Sequence, residues 1–162
     1  MVKTKNISEE SKKILGILET VVDPEVPALT VLDLGIIRKI ELINDKPVIT
    51  VTTTYSGCPA TDVINTNIRL ALLENGYPNV EIKNQLSPAW TTDWMSEEGK
   101  RKLKEYGIAP PDKKITIVKD GVECPHCNSQ NTKLISEFGS TACKALYQCN
   151  DCHEPFDYFK CH

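Results

Sequence analysis

Apolar residues recur at helical spacing near the start of the chain: Ile14, Leu15, Leu18, Val21 and Val22, with Ser8 placed to cap the segment. The pattern predicts a helix from Glu9 to about Val22 that turns this stripe to a core and stops at Asp23-Pro24. The period then falls to two. Ile36 to Ile43 and Val48 to Thr54 read as strands, joined through Asn44-Asp45-Lys46-Pro47 as a hairpin loop. Val51, Thr53 and Tyr55 alternate with Thr50, Thr52 and Thr54, which suits a half-buried pleated surface. Helical spacing returns from Pro59 to about Asn75, with Val63, Ile64, Ile68, Ala71 and Leu72 on one face and Gly76 as the stop. Val80 to Leu86 is a third strand, and Ser96 to Tyr106 a charged helix closed by Gly107. The order α-β-β-α-β-α predicts the α+β class, a small mixed sheet with helices packed on it.

The pattern breaks at Ala109-Pro110-Pro111-Asp112-Lys113-Lys114, since two prolines followed by charge cannot continue a helix. This divides the chain into a main domain (1–108), a linker (109–118) and a small cysteine-rich module (119–162). A length of 162 residues, 40% hydrophobic and 25% charged, fits two small globular domains. Lys and Arg total 19 against 22 Asp and Glu, a net charge of -3, which argues against a strongly basic nucleic-acid binder. The polar stretch from Met1 to Lys13 has no apolar signal core, and no apolar run approaches the roughly 18 residues that span a bilayer. The expectation is a cytoplasmic protein that engages neither membrane nor nucleic acid.

Cysteine changes the picture. There are seven, and all but one lie from Cys124 onward. An odd count without an export signal fits a metal site in a reducing compartment better than a disulfide framework. Cys124-Pro125-His126-Cys127 and Cys149-Asn150-Asp151-Cys152 form two Cys-x-x-Cys knuckles. Two thiolates at that spacing turn toward one ion and leave two tetrahedral positions for the second knuckle. Thr132 to Phe138, Ala145 to Gln148 and Pro155 to Phe159 read as the short strands of a ribbon, with Phe156, Tyr158 and Phe159 supplying a small core. A module this small needs a metal to fold, and zinc is the commoner structural tetrathiolate ion, with iron the alternative. His126 and His153 flank the knuckles, but four sulfurs already complete a shell. Cys143 and Cys161 are left over, as ligands, thiols for a partner, or packing. From Ile115 onward four lysines face six acidic residues, so the module lacks the basic patch that phosphate binding needs and suits protein docking instead.

The remaining cysteine, Cys58, falls at a strand-to-helix turn, Ser56-Gly57-Cys58-Pro59. Pro59 fits a first helical turn, which places Cys58 at about the N-cap. There, free N–H groups and the helix dipole favour a thiolate. The alternative is a buried small apolar residue. Without a second cysteine nearby, Cys58 cannot form a redox pair within its domain. A cluster wants about four protein ligands, so Cys58 could share one only across a dimer or with small-molecule thiols. Asp33 could line the same pocket; the commoner use of Asp23 and Asp33 is in turns. Trp90 and Trp94 lie four apart, as interface anchors if exposed or as packing if buried; one of each is expected.

Asp23-Pro24-Glu25, Asp33-Leu34-Gly35-Ile36-Ile37 and Thr52-Thr53-Thr54-Tyr55-Ser56-Gly57-Cys58-Pro59 resemble the motifs of the SufT-like Fe–S cluster assembly family. Three further stretches narrow the resemblance: Pro88-Ala89-Trp90-Thr91-Thr92-Asp93-Trp94, Tyr106-Gly107-Ile108-Ala109-Pro110-Pro111 and Phe156-Asp157-Tyr158-Phe159-Lys160-Cys161. With them the chain is similar to the PaaD-type subunits of phenylacetyl-CoA epoxidase, the branch of that family with a C-terminal zinc ribbon. The resemblance covers nearly the whole length. It implies a non-catalytic subunit that works with di-iron oxygenase and flavin/Fe–S reductase components in phenylacetate degradation and assists their Fe–S or iron-centre assembly. By position it makes Cys58 the reactive cysteine, with a transient Fe–S cluster as its cargo, and Cys124, Cys127, Cys149 and Cys152 the zinc ligands.

The residues agree. There is no Gly-x-Gly-x-x-Gly for a dinucleotide and no Glu-x-x-His pair for a di-iron site. No histidine precedes residue 126, so a thiol enzyme built on Cys58 would lack the usual base. The rival to an assembly factor is a structural adaptor that holds subunits together without moving metal.

Overall fold

A computed structural model describes residues 9–111 and 121–160. Ser8, most of the expected linker, Cys161 and His162 lie outside them. The chain forms two compact units, Met1–Ser96 and Glu97–His162.

The first unit opens with α1 (Glu9–Leu18). Ile14, Leu18 and Val21 are buried, but the helix ends at Leu18, short of the expected Val22. The Asp23 carboxylate accepts the N–H groups of Glu25 and Val26 at 2.8 and 2.7 Å, and the turn it builds pulls the chain out of helical geometry. Val22 bridges Thr30 instead and is exposed. β1 (Ile37–Ile43) and β2 (Lys46–Val51) pair antiparallel through a two-residue turn, Asn44-Asp45, both at positive φ. Lys46 and Pro47, expected in the loop, are strand residues, because this turn matches strand twist and needs only two residues. α2 (Ala60–Glu74) then crosses to β3 (Glu81–Asn84), which lies parallel to β2. The sheet order is β1-β2-β3, a mixed sheet. Central β2 buries Val48, Ile49 and Val51, and α2 buries Ile64, Ile68 and Leu72, while α1 packs on α2 and β1. Val63, read from the pattern as core, is exposed; Asn65 takes a buried place on the helix instead.

Trp90 is buried with its indole N–H on the Leu34 carbonyl at 2.9 Å. Trp94, in a 3-10 turn (Thr92–Trp94), is half-buried under the Arg38 guanidinium, 3.5 Å from the ring centroid.

The second unit holds α3 (Glu97–Glu105), grouped by the sequence pattern with the first domain, and a four-stranded sheet. β4 (Ile108–Ala109) pairs parallel with β7 (Pro155–Phe159), so Ala109 lies in a strand, where the pattern began a linker. β6 (Lys144–Cys149) pairs antiparallel with β7 and with β5 (Thr132–Ser136). The core is aromatic: Tyr147 stacks on Phe156 at 5.7 Å and meets Tyr158 edge-on at 5.8 Å. Cys124 and Cys149 belong to the same buried cluster, which makes the knuckles part of the core.

Candidate functional site

Each Cys-x-x-Cys knuckle is a tight turn closed by a residue in left-handed conformation. Asn128 follows Cys127 at φ 62°, and His153 follows Cys152 at φ 63°. The Asn128 N–H returns to the Cys124 carbonyl at 2.9 Å. The second knuckle is tied to the loop before β5. The Asn150 N–H donates to the Asn131 carbonyl at 2.8 Å, and Asp151 accepts from the Asn131 amide at 2.7 Å and from the Ser129 hydroxyl. The Ser129 hydroxyl, then the Asn131 amide, hold the Asp151 carboxyl below its ordinary range.

These turns bring the four sulfurs to one point. Cys124 Sγ lies 3.7 Å from Cys152 Sγ, Cys127 Sγ lies 3.5 Å from Cys149 Sγ, and all four sit within 4.8 Å of one another. The donor set fits a metal ion, because a tetrahedral tetrathiolate with bonds of about 2.3 Å has sulfurs about 3.8 Å apart. The four cysteines form a candidate metal-binding site. Its thiols already differ in acidity. The Cys152 N–H, then that of Asp151, draw the Cys149 thiol down to about 7 against desolvation. At Cys152 the Glu154 N–H lowers the pKa, but burial and the neighbouring thiols outweigh it and push the thiol up to about 12. Crowded sulfurs resist sharing negative charge, and a cation at their centre removes that conflict. Among the described residues the metal-ligand group contains neither histidine nor Cys143. Cys143 is buried, with its sulfur 3.1 Å from the Thr141 hydroxyl.

In the first unit, Cys58 is half-buried at the mouth of α2. Its carbonyl accepts the Thr61 N–H at 3.2 Å, and Pro59 already has helical φ and ψ of -66° and -22°. Hydrogen bonding starts α2 at Ala60 with Pro59 as its N-cap, so Cys58 lies one residue before the cap position expected for it. Gly57, at φ 77°, makes the turn into it. Asp33 is buried, and its carboxylate is engaged within the unit. Oδ2 accepts the Thr30 N–H and hydroxyl at 3.1 and 3.0 Å, and Oδ1 accepts the Ser96 hydroxyl at 2.9 Å. Among the described residues, no group of three or more His, Cys, Asp or Glu side chains gathers around Cys58.

The pattern noted His153 beside its knuckle but not its left-handed backbone, and it overlooked the rest of the supporting shell: Asn128, Ser129, Asn131 and Asp151. Asparagine after the first Cys-x-x-Cys was the available signal, since it tolerates left-handed backbone.

A small α+β unit with one cysteine at a helix start, followed by a four-cysteine β-ribbon, defines the class: an iron–sulfur assembly-type domain joined to a zinc-ribbon-type module. Residues 11–82 match the family model described as iron-sulfur cluster assembly protein, and residues 109–160 that of the PaaD zinc beta ribbon domain. An Escherichia coli (strain K12) protein, provisionally named as the D component of 1,2-phenylacetyl-CoA epoxidase, is 50% identical over 151 residues, 92% of each chain. The chain belongs to this PaaD family of epoxidase subunits. An Fe-S protein maturation auxiliary factor of Porphyromonas gingivalis is 36% identical over 97 residues, 59% of this chain and 91% of that one. The crystal structure of a domain of unknown function, DUF59, from Bacillus anthracis superposes with a TM-score of 0.53 at 29% identity, covering 57% of this chain and 89% of that one.

Proposed function

We propose that this chain is a non-catalytic, cytoplasmic accessory subunit of a phenylacetyl-CoA epoxidase complex that assists Fe–S or iron-centre assembly in its partners through Cys58. The observation that carries the reading is the pairing, in one chain, of an iron–sulfur assembly-type unit bearing a single cysteine at a helix mouth with the PaaD-type ribbon. A half-exposed thiol before a helix can take an iron or sulfide ligand and release it, because one protein ligand holds cargo weakly against the four that a resident cluster wants. The partners are the oxygenase and reductase components that carry such centres.

The ribbon holds zinc through Cys124, Cys127, Cys149 and Cys152, as a structural ion that completes a core too small to fold alone. Bound zinc supplies charge neutralisation to four crowded thiolates and no redox chemistry. Exposed Ile135 on β5 and Phe138 beyond it give the ribbon an apolar docking surface. That no group of three or more metal-ligating side chains gathers at Cys58 among the described residues favours a second reading, a structural adaptor in which the ribbon docks and Cys58 is idle.

The test is co-expression of the oxygenase and reductase components with wild-type chain or Cys58→Ala. The assembly reading expects the partners' iron content to fall severalfold with the variant while complex formation persists. Unchanged iron loading establishes the adaptor.

A further inference from the structure

The four sulfurs are equivalent in chemistry and unequal in exposure. Cys124 and Cys149 are fully buried, Cys152 is half-buried and Cys127 is exposed. His126 and Asn128, on either side of Cys127, are exposed as well, so the first knuckle presents its second sulfur to solvent. The sulfur 3.5 Å from it belongs to Cys149, on the opposite knuckle and in the buried core. Of the remaining cross-knuckle pairs, Cys124 and Cys152 are 3.7 Å apart and contain no exposed sulfur.

We propose that Cys127 is an oxidation site: a two-electron oxidant of the hydrogen peroxide class attacks it first, and Cys149 closes the resulting disulfide, dismantling the metal centre. The inference rests on the metal-bound reading of the ribbon given above. In the first step the Cys127 thiolate attacks one peroxide oxygen. An S–O bond forms, the O–O bond breaks, and the leaving hydroxide takes a proton to become water, giving Cys127 sulfenic acid. In the second step the Cys149 thiolate attacks the Cys127 sulfur. The S–S bond forms as the S–O bond breaks, and the hydroxide leaves as a second water. Two thiolates, one peroxide and two protons thus become one disulfide and two waters. The sulfurs need approach only roughly 1.5 Å to reach bonding distance, a side-chain movement. Each knuckle then has one ligand left, Cys124 and Cys152, and two thiolates do not retain the ion. The other described cysteines do not offer this route. Cys143 is buried, and Cys58 has no second cysteine in its unit.

The experiment uses the full chain, with metal content measured first. Peroxide is titrated in while a chromogenic chelator reports released ion, and the first disulfide is mapped by alkylation and mass spectrometry. Wild type and Cys58→Ala should release the ion together with a Cys127–Cys149 link. Cys127→His keeps a four-ligand Cys₃His set and should release it at least about tenfold more slowly. Three results overturn the proposal: equal release rates in Cys127→His and wild type, a first link between any pair other than Cys127 and Cys149, or no release at all. Should Cys127→His fail to load, the order of thiol oxidation in wild type decides, and modification of any ribbon cysteine before Cys127 overturns it. A chain purified without metal contradicts the metal-bound reading separately, and disulfide mapping on that chain still tests the Cys127–Cys149 pair.

Discussion

A Cβ placed on Gly35 would lie 2.0 Å from the Trp94 carbonyl oxygen, and its φ of 66° is left-handed. Both effects exclude a side chain, so Gly35→Ala should cost about 3 kcal/mol and lower the melting temperature by several degrees in a thermal scan. Asn65 is the opposite case. Its Nδ2 donates to Asn84 at 3.3 Å, but its buried Oδ1 has no hydrogen-bond partner among the described residues. Asn84 is exposed and can turn to water, so Asn65→Leu should hold or raise stability by about 1 kcal/mol in urea unfolding; a large loss would show that the orphaned oxygen has a partner. Asp33 could be read from sequence as a turn residue or as a pocket residue. The structure gives its carboxylate three hydrogen-bond donors, one of them from Ser96, 63 positions away. No local pattern encodes that partner. Asp33→Ala strands these donors and should cost about 2 kcal/mol, measured by denaturant unfolding, whatever it does to activity.

At the scale of elements, long periodic segments were legible and their ends were not. Ile64, Ile68 and Leu72 marked α2 because an apolar stripe needs no knowledge of the partner face. Val63 sits one position from that stripe and carries the same hydrophobicity, so hydropathy alone put it inside. The end of α1 depended on the Asp23 turn, and the hairpin on two left-handed residues, which composition signals only weakly without glycine. Asp45→Gly removes the strain at φ 61° and should stabilise the hairpin by about 0.5 kcal/mol, read as a higher melting temperature. β4 was unreadable because two residues hold no period; it exists through its pairing with β7, about fifty positions on.

For the whole molecule, the convergence of the four cysteines was the most legible part, because the Cys-x-x-Cys spacing directly encodes a tetrahedral arrangement of sulfurs. The shell that orients it was not, since Asp151, Ser129 and Asn131 meet only after folding. The two units differ in what sustains them. The first has a mainly apolar core around β2 and α2, whereas the second builds two cysteines of the four-sulfur cluster into its core. Chelation of the ribbon metal should therefore unfold the second unit and leave the first folded. Circular dichroism and amide exchange should show protection lost over β5 to β7 and kept over α2 and β2. Loss of protection in both units together would contradict this independence.

The central claim concerns Cys58, and the most direct measurement is iron, zinc and acid-labile sulfide in anaerobically purified wild type and Cys58→Ala, side by side. The account predicts about one zinc per chain in both, with iron and sulfide in wild type alone. If neither protein takes up iron, even after reconstitution, the claim that Cys58 carries assembly cargo is contradicted.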